Sequence, residues 1–170
     1  MRIFLMGFMG AGKSSVGKEL ARICNRLYID ADEIIERRAA KSINELFETE
    51  GEAHFRELEH ELIQEIGEFY PDVVVACGGG MPCFNNTLPL INQHGLSVYL
   101  KLPPELLAER LKNESDNRPL LKDLSDSERL QFIQSKLAER TPYYEQANVI
   151  IDVQKSDSIT TIAQEIVLSV

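Results

Sequence analysis

The chain has 170 residues, of which 44% are hydrophobic and 26% are charged, and these values are ordinary for one globular domain with a substantial core. Its formal net charge of −9 argues against a nucleic-acid surface or an anionic membrane as a partner. No apolar run approaches the roughly 18 residues of a membrane span, and the cysteines lack zinc-type spacing. We expect a cytoplasmic protein, since the first strand begins at once and leaves no room for a signal peptide.

A glycine-rich loop, Gly7-Phe8-Met9-Gly10-Ala11-Gly12-Lys13-Ser14, follows the apolar run at 3–6. The run is typical of a buried parallel strand, and residues 15–23 have the spacing of an amphipathic helix. Strand, G-x-x-x-x-G-K-S loop and helix in this order predict a phosphate-binding loop, because glycines let the backbone curl around phosphates. Lys13 would supply a charge that follows the transferring phosphoryl group, and the Ser14 hydroxyl would ligate Mg²⁺.

The chain continues as alternating strands and helices. After the second strand, Asp30 and Asp32 open a helix, and capping is the simplest role for such residues at a helix start. Both residues, however, lie at the C-terminal end of a strand, and open α/β sheets bind ligands at that edge. A capping box at 42–45 starts the next helix, and a longer helix is predicted over 52–69. Arg56 lies beside the apolar stripe of that helix, and on composition alone it is a surface or ion-paired arginine.

A continuous β-branched run at 73–77 is typical of a central strand that is buried on both faces. It ends in Gly78-Gly79-Gly80, and three glycines indicate that something approaches the backbone closely, since a plain turn needs one or two. We favour a ligand, with a mobile turn as the alternative. A fourth strand at 97–102 precedes a helix that Pro104 can begin.

A polar run and the segment Arg118-Pro119-Leu120-Leu121 follow that helix. Arginine and apolar residues on a mobile loop predict a lid at about 112–124, because phosphoryl transfer must exclude water; an ordinary exposed loop is the alternative. A capping box at 125–128 starts another helix, and a fifth strand at 149–152 precedes the last one. The alternation predicts one α/β domain over 1–170, built on a parallel sheet.

A set of motifs, taken in order, resembles the shikimate kinase family across essentially the whole chain. They are the loop at 7–14, Asp30-x-Asp32, Phe55-Arg56-x-x-Glu59, Gly78-Gly79-Gly80, Arg118-Pro119-Leu120-Leu121 and Arg140-x-x-x-Tyr144. The loop alone is widely shared, whereas the glycine triplet and Arg-Pro-Leu-Leu in this order are specific. The resemblance implies a three-layer P-loop NTPase fold of the nucleoside-monophosphate-kinase type, with a parallel sheet in the strand order 2-3-1-4-5. It also implies ATP-dependent phosphorylation of the shikimate 3-hydroxyl, on the route to chorismate and the aromatic amino acids.

The same resemblance implies groups of site residues. Those that would bind ATP are Gly10, Ala11, Gly12, Lys13, Ser14, Ser15, Arg110 and Arg118. Those that would bind shikimate are Asp32, Arg56, Gly78, Gly79, Gly80 and Arg140. The implied catalytic residues are Lys13, Asp32 and Arg118. Mg²⁺ would be held by Ser14 and, through water, by Asp30.

Each polar residue receives a role from this resemblance. Lys13 would bridge the phosphoryl group, and Asp32 could accept the proton of the attacking hydroxyl. Arg56 and Arg140 would grip the shikimate carboxylate, because their planar forks match its geometry. Arg118 would move in with the lid and stabilise charge on the phosphates.

Further expectations concern the nucleotide and the metal. Arg110 would stack on adenine, with Lys112 as the alternative, because the loop that follows varies in length within such families. Ser15 stands where the family usually has threonine, and its hydroxyl would keep the α-phosphate contact. The strand at 73–77 lacks the usual Walker B aspartate, and the resemblance shifts that carboxylate role to Asp30.

Two alternative functions stay open. The first is another small-molecule kinase of this fold, such as a gluconate kinase, and the second is a nucleotide-binding module without catalysis. The other kinase would not require two arginines for a carboxylate together with the glycine triplet and Arg-Pro-Leu-Leu, and against the module stands the presence of every expected polar group. We expect ATP and shikimate as substrates, Mg²⁺ as cofactor, a substrate-binding segment at about 31–60, and a monomer without nucleic-acid or membrane partners.

Overall fold

The computed structural model describes residues 1–112, 121 and 124–169. These residues form a parallel sheet of five strands with helices on both faces. The strands are β1 (Arg2–Met6), β2 (Leu27–Asp30), β3 (Val73–Ala76), β4 (Leu96–Lys101) and β5 (Val149–Asp152). Their order across the sheet is β2-β3-β1-β4-β5, which confirms the predicted topology.

Helices connect the strands. They are α1 (Lys13–Cys24), α2 (Ala31–Ala39), α3 (Ile43–Thr49), α4 (Gly51–Phe69), α5 (Thr87–His94), α6 (Pro104–Lys112), α7 (Asp126–Tyr144) and α8 (Ile159–Leu168), with a 3₁₀ turn at Met81–Cys83. Both predicted capping boxes are present, at the starts of α3 and α7. In each box a serine hydroxyl accepts from the N–H of a glutamate three residues on, whose carboxylate accepts from the serine N–H.

The central strand β1 alternates its side chains between the two helical layers. Ile3 and Leu5 pack in the cluster that contains α1, α6, α7 and α8. Phe4 and Met6 pack in the cluster that contains α2, α3, α4 and α5. A parallel strand that is covered on both faces needs an unbroken apolar run, and this is the run that the sequence shows.

Three functional segments leave the sheet at one edge. Leu5 in β1 pairs with Ala76 in β3, and Ala76 pairs with Asp30 at the end of β2. The glycine loop after β1 and the glycine triplet after β3 therefore emerge beside the carboxylates that follow β2. This is the carboxyl edge, where open α/β sheets bind ligands.

The described part of the chain contains no helix that is both long and apolar enough to cross a bilayer. Its cysteines, Cys24, Cys77 and Cys83, are free thiols. The fold of the described residues therefore depends on apolar packing and hydrogen bonding, without disulfide support.

Leu5→Ala should lower the free energy of unfolding by about 2–5 kcal/mol, because it opens a cavity in the central strand. The matched control is Leu27→Ala in the edge strand, which should change stability by about 0.5 kcal/mol or less. Leu5 is 0% exposed and Leu27 is 62% exposed. Urea denaturation followed by circular dichroism measures both, and equal losses would contradict the central position of β1.

Candidate active site

A cavity of about 1150 Å³ opens at the carboxyl edge of the sheet. All predicted site residues within the described part of the chain line this one cavity. They are Gly10, Ala11, Gly12, Lys13, Ser14, Ser15, Asp30, Asp32, Arg56, Gly78, Gly79, Gly80, Arg110 and Arg140. Arg118, and residues 113–120 and 122–123 of the predicted lid, lie outside the described residues.

The glycine loop curls because its glycines adopt left-handed backbone conformations. Gly7, Gly10 and Gly12 have φ values of 144°, 77° and 93°. A side chain at Gly10 would also strike Leu111, since its Cβ would lie 2.9 Å from the leucine Cγ. Helix α1 then begins at Lys13 without a side-chain cap, so its first N–H groups and positive dipole end are available to an anion.

Lys13 is bent back onto the loop that precedes it. Its Nζ donates to the carbonyl oxygen of Gly7 at 2.8 Å and to that of Phe8 at 3.0 Å. The ammonium group is thus held against the glycine loop, at the wall of the cavity. A cation in this position can meet a phosphate that binds to the loop.

Arg110 supplies a second cation to the same loop. Its Nη1 donates to the carbonyl oxygen of Ala11 at 3.2 Å, and the residue lines the cavity. Lys112 instead forms an ion pair with Asp126 at 2.6 Å, and it is not part of the cavity wall. Of the two candidates for the adenine contact, Arg110 is therefore the one that lies beside the glycine loop.

Asp30 is the N-cap residue of α2, yet its side chain makes no capping bond. Its Oδ2 instead accepts a hydrogen bond from the Ser14 hydroxyl at 2.7 Å and from the Tyr28 hydroxyl at 3.0 Å. The capping interpretation of this acid is therefore wrong. Nothing in the sequence distinguishes Tyr28 from the other residues of this short strand.

The Ser14–Asp30 pair has the chemistry that suits Mg²⁺. Hydroxyl and carboxylate oxygens are hard ligands, and Mg²⁺ usually takes few protein ligands while keeping several waters. Among the described residues no group of three or more His, Cys, Asp or Glu could form a denser site. A site that relies on Ser14, Asp30, water and phosphate oxygens therefore fits the residues present.

Asp32 lies in the first turn of α2, close to Lys13. Burial raises the pKa of Asp32, and the neighbouring Asp30 acts in the same direction. The positive charges of Lys13 and Arg56 oppose this increase. The result is a carboxylate that is more basic than one in water and that faces the lysine of the glycine loop.

The outer glycines of the triplet make room for charged side chains of the protein itself. Neither Gly78 nor Gly80 has a positive φ, so their backbone conformation does not require glycine. A Cβ at Gly78 would lie 2.7 Å from carboxylate oxygens of both Asp32 and Glu59. A Cβ at Gly80 would lie 2.6 Å from Nη2 of Arg56. The predicted close approach exists, and the approaching groups are carboxylates and a guanidinium.

Arg56 is buried, which the sequence did not indicate. It is 8% exposed, and its Nη1 and Nη2 pair with Glu59 at 2.6 Å and Glu52 at 2.9 Å. The ring centre of Phe84 lies 4.3 Å from its Cζ, within the range of a cation–π contact. Burial would lower the pKa of Arg56, but the two glutamates outweigh it and raise the pKa.

Glu59 is a cavity residue that the predicted site lacked. It is 1% exposed, and burial raises its pKa to about 7 against the attraction of Arg56. Its Oε1 has no hydrogen-bond partner among the described residues. The signal in the sequence was the three-residue spacing from Arg56, which places both side chains on one face of α4.

The remaining triplet glycine meets helix α7. A Cβ at Gly79 would lie 3.4 Å from Nη1 of Arg140. One turn further along α7, the Tyr144 hydroxyl donates to the Gly79 carbonyl oxygen. Arg140 also lies over Phe8 of the glycine loop, with 5.6 Å from its Cζ to the ring centre. Helix α7 therefore brings the second arginine to the same end of the cavity as the triplet.

Known proteins are similar to this chain over almost its full length. The family model described as shikimate kinase matches residues 9–170. A shikimate kinase of Bacteroides fragilis is 46% identical over 155 residues, which covers 91% of this chain and 86% of the relative.

Solved structures give the same result. The shikimate kinase from Bacteroides thetaiotaomicron has a TM-score of 0.93 and 40% identity, and the match covers 100% of this chain and 99% of that one. The shikimate kinase from Acinetobacter baumannii in complex with shikimate has a TM-score of 0.88 and 34% identity, and the match covers 99% and 91% of the two chains. With the strand order and the common cleft, these similarities confirm the resemblance seen in the motifs: the chain is a phosphotransferase that belongs to the shikimate kinase family.

Proposed function

We propose that this chain transfers the γ-phosphoryl group of ATP to the 3-hydroxyl of shikimate. The observation that carries the proposal is that Lys13, Asp32 and Arg56 line a single cavity. A phosphate on the glycine loop and a hydroxy acid held by arginine can meet there, as in-line phosphoryl transfer requires. The rival kinase of the same fold does not need the buried arginine beside the glycine triplet.

The ATP end of the cavity is built from the glycine loop and the start of α1. Backbone N–H groups of Gly10, Ala11 and Gly12 would surround the phosphates, and the hydroxyl of Ser15 would contact the α-phosphate. Arg110 would stack on adenine, which agrees with its position beside the loop. These groups bind charge through fixed dipoles and so need no rearrangement at the moment of transfer.

The shikimate end is built from α2, α4, α7 and the triplet. Arg56 and Arg140 would bind the carboxylate, and Asp32 would bind the ring hydroxyls. The backbone of Gly78, Gly79 and Gly80 would close the wall between these side chains. Because ion pairs and an aromatic ring already fix Arg56, little side-chain entropy would be lost when the substrate binds.

The reaction follows from the positions of the charges. The hydroxyl oxygen would attack the γ-phosphorus, its proton would pass to Asp32, and the bond to the oxygen of ADP would break. The raised pKa of Asp32 makes it a better proton acceptor than an exposed aspartate. Lys13 would follow the moving phosphoryl group, and Ser14 and Asp30 would hold Mg²⁺, which supplies positive charge to the phosphates when bound.

Some parts of the proposal depend on the motifs alone. Arg118 would stabilise phosphate charge from a lid at about 112–124, and residues 31–60 would form the substrate-binding segment of one domain over 1–170. We also propose that the chain works as a monomer in the cytoplasm, without nucleic-acid or membrane partners. The net charge of −9 supports the exclusion of polyanionic partners, and one chain supplies every described wall of the cavity.

A coupled ATPase assay with shikimate, gluconate and AMP tests the substrate. Turnover with shikimate, and a ³¹P NMR signal for a 3-phosphate product, is the expected result. Turnover with gluconate but not with shikimate would establish the rival kinase instead. Binding of nucleotide without any turnover would favour the non-catalytic module.

Arg56→Ala should raise the KM for shikimate by about 10- to 100-fold, because it removes a charged hydrogen-bond donor from the substrate carboxylate. The KM for ATP should stay nearly unchanged, since Arg56 lies away from the glycine loop. Arg38→Ala is the matched control: Arg38 also pairs with a glutamate, Glu65, at 2.6 Å, but outside the cavity. Steady-state kinetics with each substrate varied in turn measures both variants, and equal effects of Arg56→Ala on the two KM values would contradict the carboxylate assignment.

Lys13→Ala should lower kcat by about 100-fold or more, because it removes a charge that acts on the transferring group. The KM for shikimate should change much less. Lys18→Ala, one turn or more along the same helix and outside the cavity wall, serves as the control. A kcat for Lys13→Ala within threefold of that of the parent, or about 0.6 kcal/mol, would exclude Lys13 from the transfer step.

Gly80→Ala should raise the KM for shikimate by about tenfold or more, because the new methyl group would displace Arg56. Gly79→Ala should raise it less, since its Cβ would lie at 3.4 Å from Arg140 rather than 2.6 Å from Arg56. Neither position has a positive φ, so backbone strain is matched between the two variants. Steady-state kinetics measures the KM for shikimate, and thermal melting checks that both variants are folded. An equal or larger rise in KM for Gly79→Ala would contradict the steric explanation.

A further inference from the structure

Tyr28 occupies a fixed position between β2 and α1. Its ring packs against Gly17, where a Cβ would lie only 2.7 Å from the tyrosine Cε2. Lys18 Nζ lies 5.6 Å from the centre of the same ring. The ring is half-buried, and its hydroxyl reaches the end of the strand, 3.0 Å from Oδ2 of Asp30.

Two hydroxyl groups meet on one oxygen of Asp30. Ser14 Oγ donates to Oδ2 at 2.7 Å, and the Tyr28 hydroxyl donates to the same atom. No described residue donates a hydrogen bond to Oδ1. A carboxylate whose one oxygen is held from two directions has a fixed plane, and its second oxygen then points in one direction only.

This arrangement also determines how Ser14 is used. Because its proton goes to Asp30, the lone pairs of Ser14 Oγ are free to ligate a cation. The free Oδ1 of Asp30 is in turn the acceptor available to a metal-bound water. Removing the tyrosine hydroxyl would leave the bond to Ser14 as the single restraint on the carboxylate, which could then rotate.

We propose that Tyr28 is a positioning residue for the Mg²⁺ site: it orients Asp30 so that Oδ1 accepts from the metal's water shell while Ser14 serves as the direct ligand. The proposal rests on the proposed function of Ser14 and Asp30. It extends that function to a residue that touches neither substrate nor metal. The simpler alternative is that Tyr28 only fills space against Gly17.

Tyr28→Phe separates these possibilities, because it keeps the ring and removes only the hydroxyl. The apparent activation constant for Mg²⁺ should rise about three- to tenfold, less than the roughly 10–100-fold loss seen for partners of direct metal ligands, since Asp30 acts through water. The KM for shikimate should not change. Tyr70→Phe, at the opposite end of the sheet, is the matched control and should leave the activation constant unchanged.

A binding measurement removes the dependence on turnover. Calorimetry of ADP binding in EDTA should give the same affinity for the parent and Tyr28→Phe, whereas the gain in affinity on adding Mg²⁺ should be about three- to tenfold smaller in the variant. Equal gains would overturn the proposal, and so would equal losses of ADP affinity with and without Mg²⁺, which indicate a packing defect.

Two further variants distinguish an error in the role of Tyr28 from an error in the proposed metal site. Ser14→Ala and Asp30→Asn should each reduce the Mg²⁺-dependent gain more than Tyr28→Phe does. If these two variants reduce it and Tyr28→Phe does not, only the role of Tyr28 is wrong. If none of the three reduces it, the proposed metal site itself is wrong.

Discussion

The site depends on the parallel register of β2, β3 and β1. Because Leu5, Ala76 and Asp30 lie side by side across these strands, the segments that follow them leave the sheet from adjacent positions at one edge. The carboxyl ends of parallel strands lie at one edge of the sheet. The phosphate loop, the pair of acids and the glycine triplet therefore lie close together because each directly follows a strand. The buried apolar strands thus fix the positions of the segments that follow them, and those segments carry the functional groups.

A second constraint is the balance of charge within the cavity. The ion pair between Arg56 and Glu59 is buried, and burial raises the pKa of Glu59 and of Asp32. Arg56 stays charged because its glutamate partners compensate for burial. A protein with a net charge of −9 therefore keeps a charged, buried arginine in its cavity, which bulk composition cannot indicate.

Much of the fold could be predicted from the sequence because its signals are local. The apolar runs of β1 and β3, the glycine loop and both serine capping boxes each occupy a few consecutive residues. Burial of Arg56 could not be predicted in the same way. A helical pattern shows which residues share a face, whereas the phenylalanine that covers the guanidinium comes from a segment 28 positions later.

The same limit explains why capping, the alternative for Asp30, is wrong and why Glu59 was not among the predicted site residues. The preference for acidic residues at helix starts correctly places Asp30 before α2. It does not reveal that the carboxylate accepts hydrogen bonds from hydroxyls of α1 and β2 instead of capping the helix. Glu59 belongs to the motif Phe55-Arg56-x-x-Glu59, but its burial beside Gly78 depends on how α4 packs against the triplet. By contrast, the predicted site residues that the structure describes all line one cavity, because a motif specifies a group of residues that act together even when their distances are unknown.

The steric match between the triplet and its charged neighbours has an evolutionary consequence. The volume of a missing methyl group at position 80 is filled by the guanidinium at position 56, and that at position 78 by two carboxylates. Such positions cannot change independently, because a larger residue in the loop after β3 is tolerated only after a shorter one has appeared on the helix that packs against it. Sequence change in this lineage should therefore show strong epistasis between the loop after β3 and the inner face of α4, even though the two segments are encoded well apart.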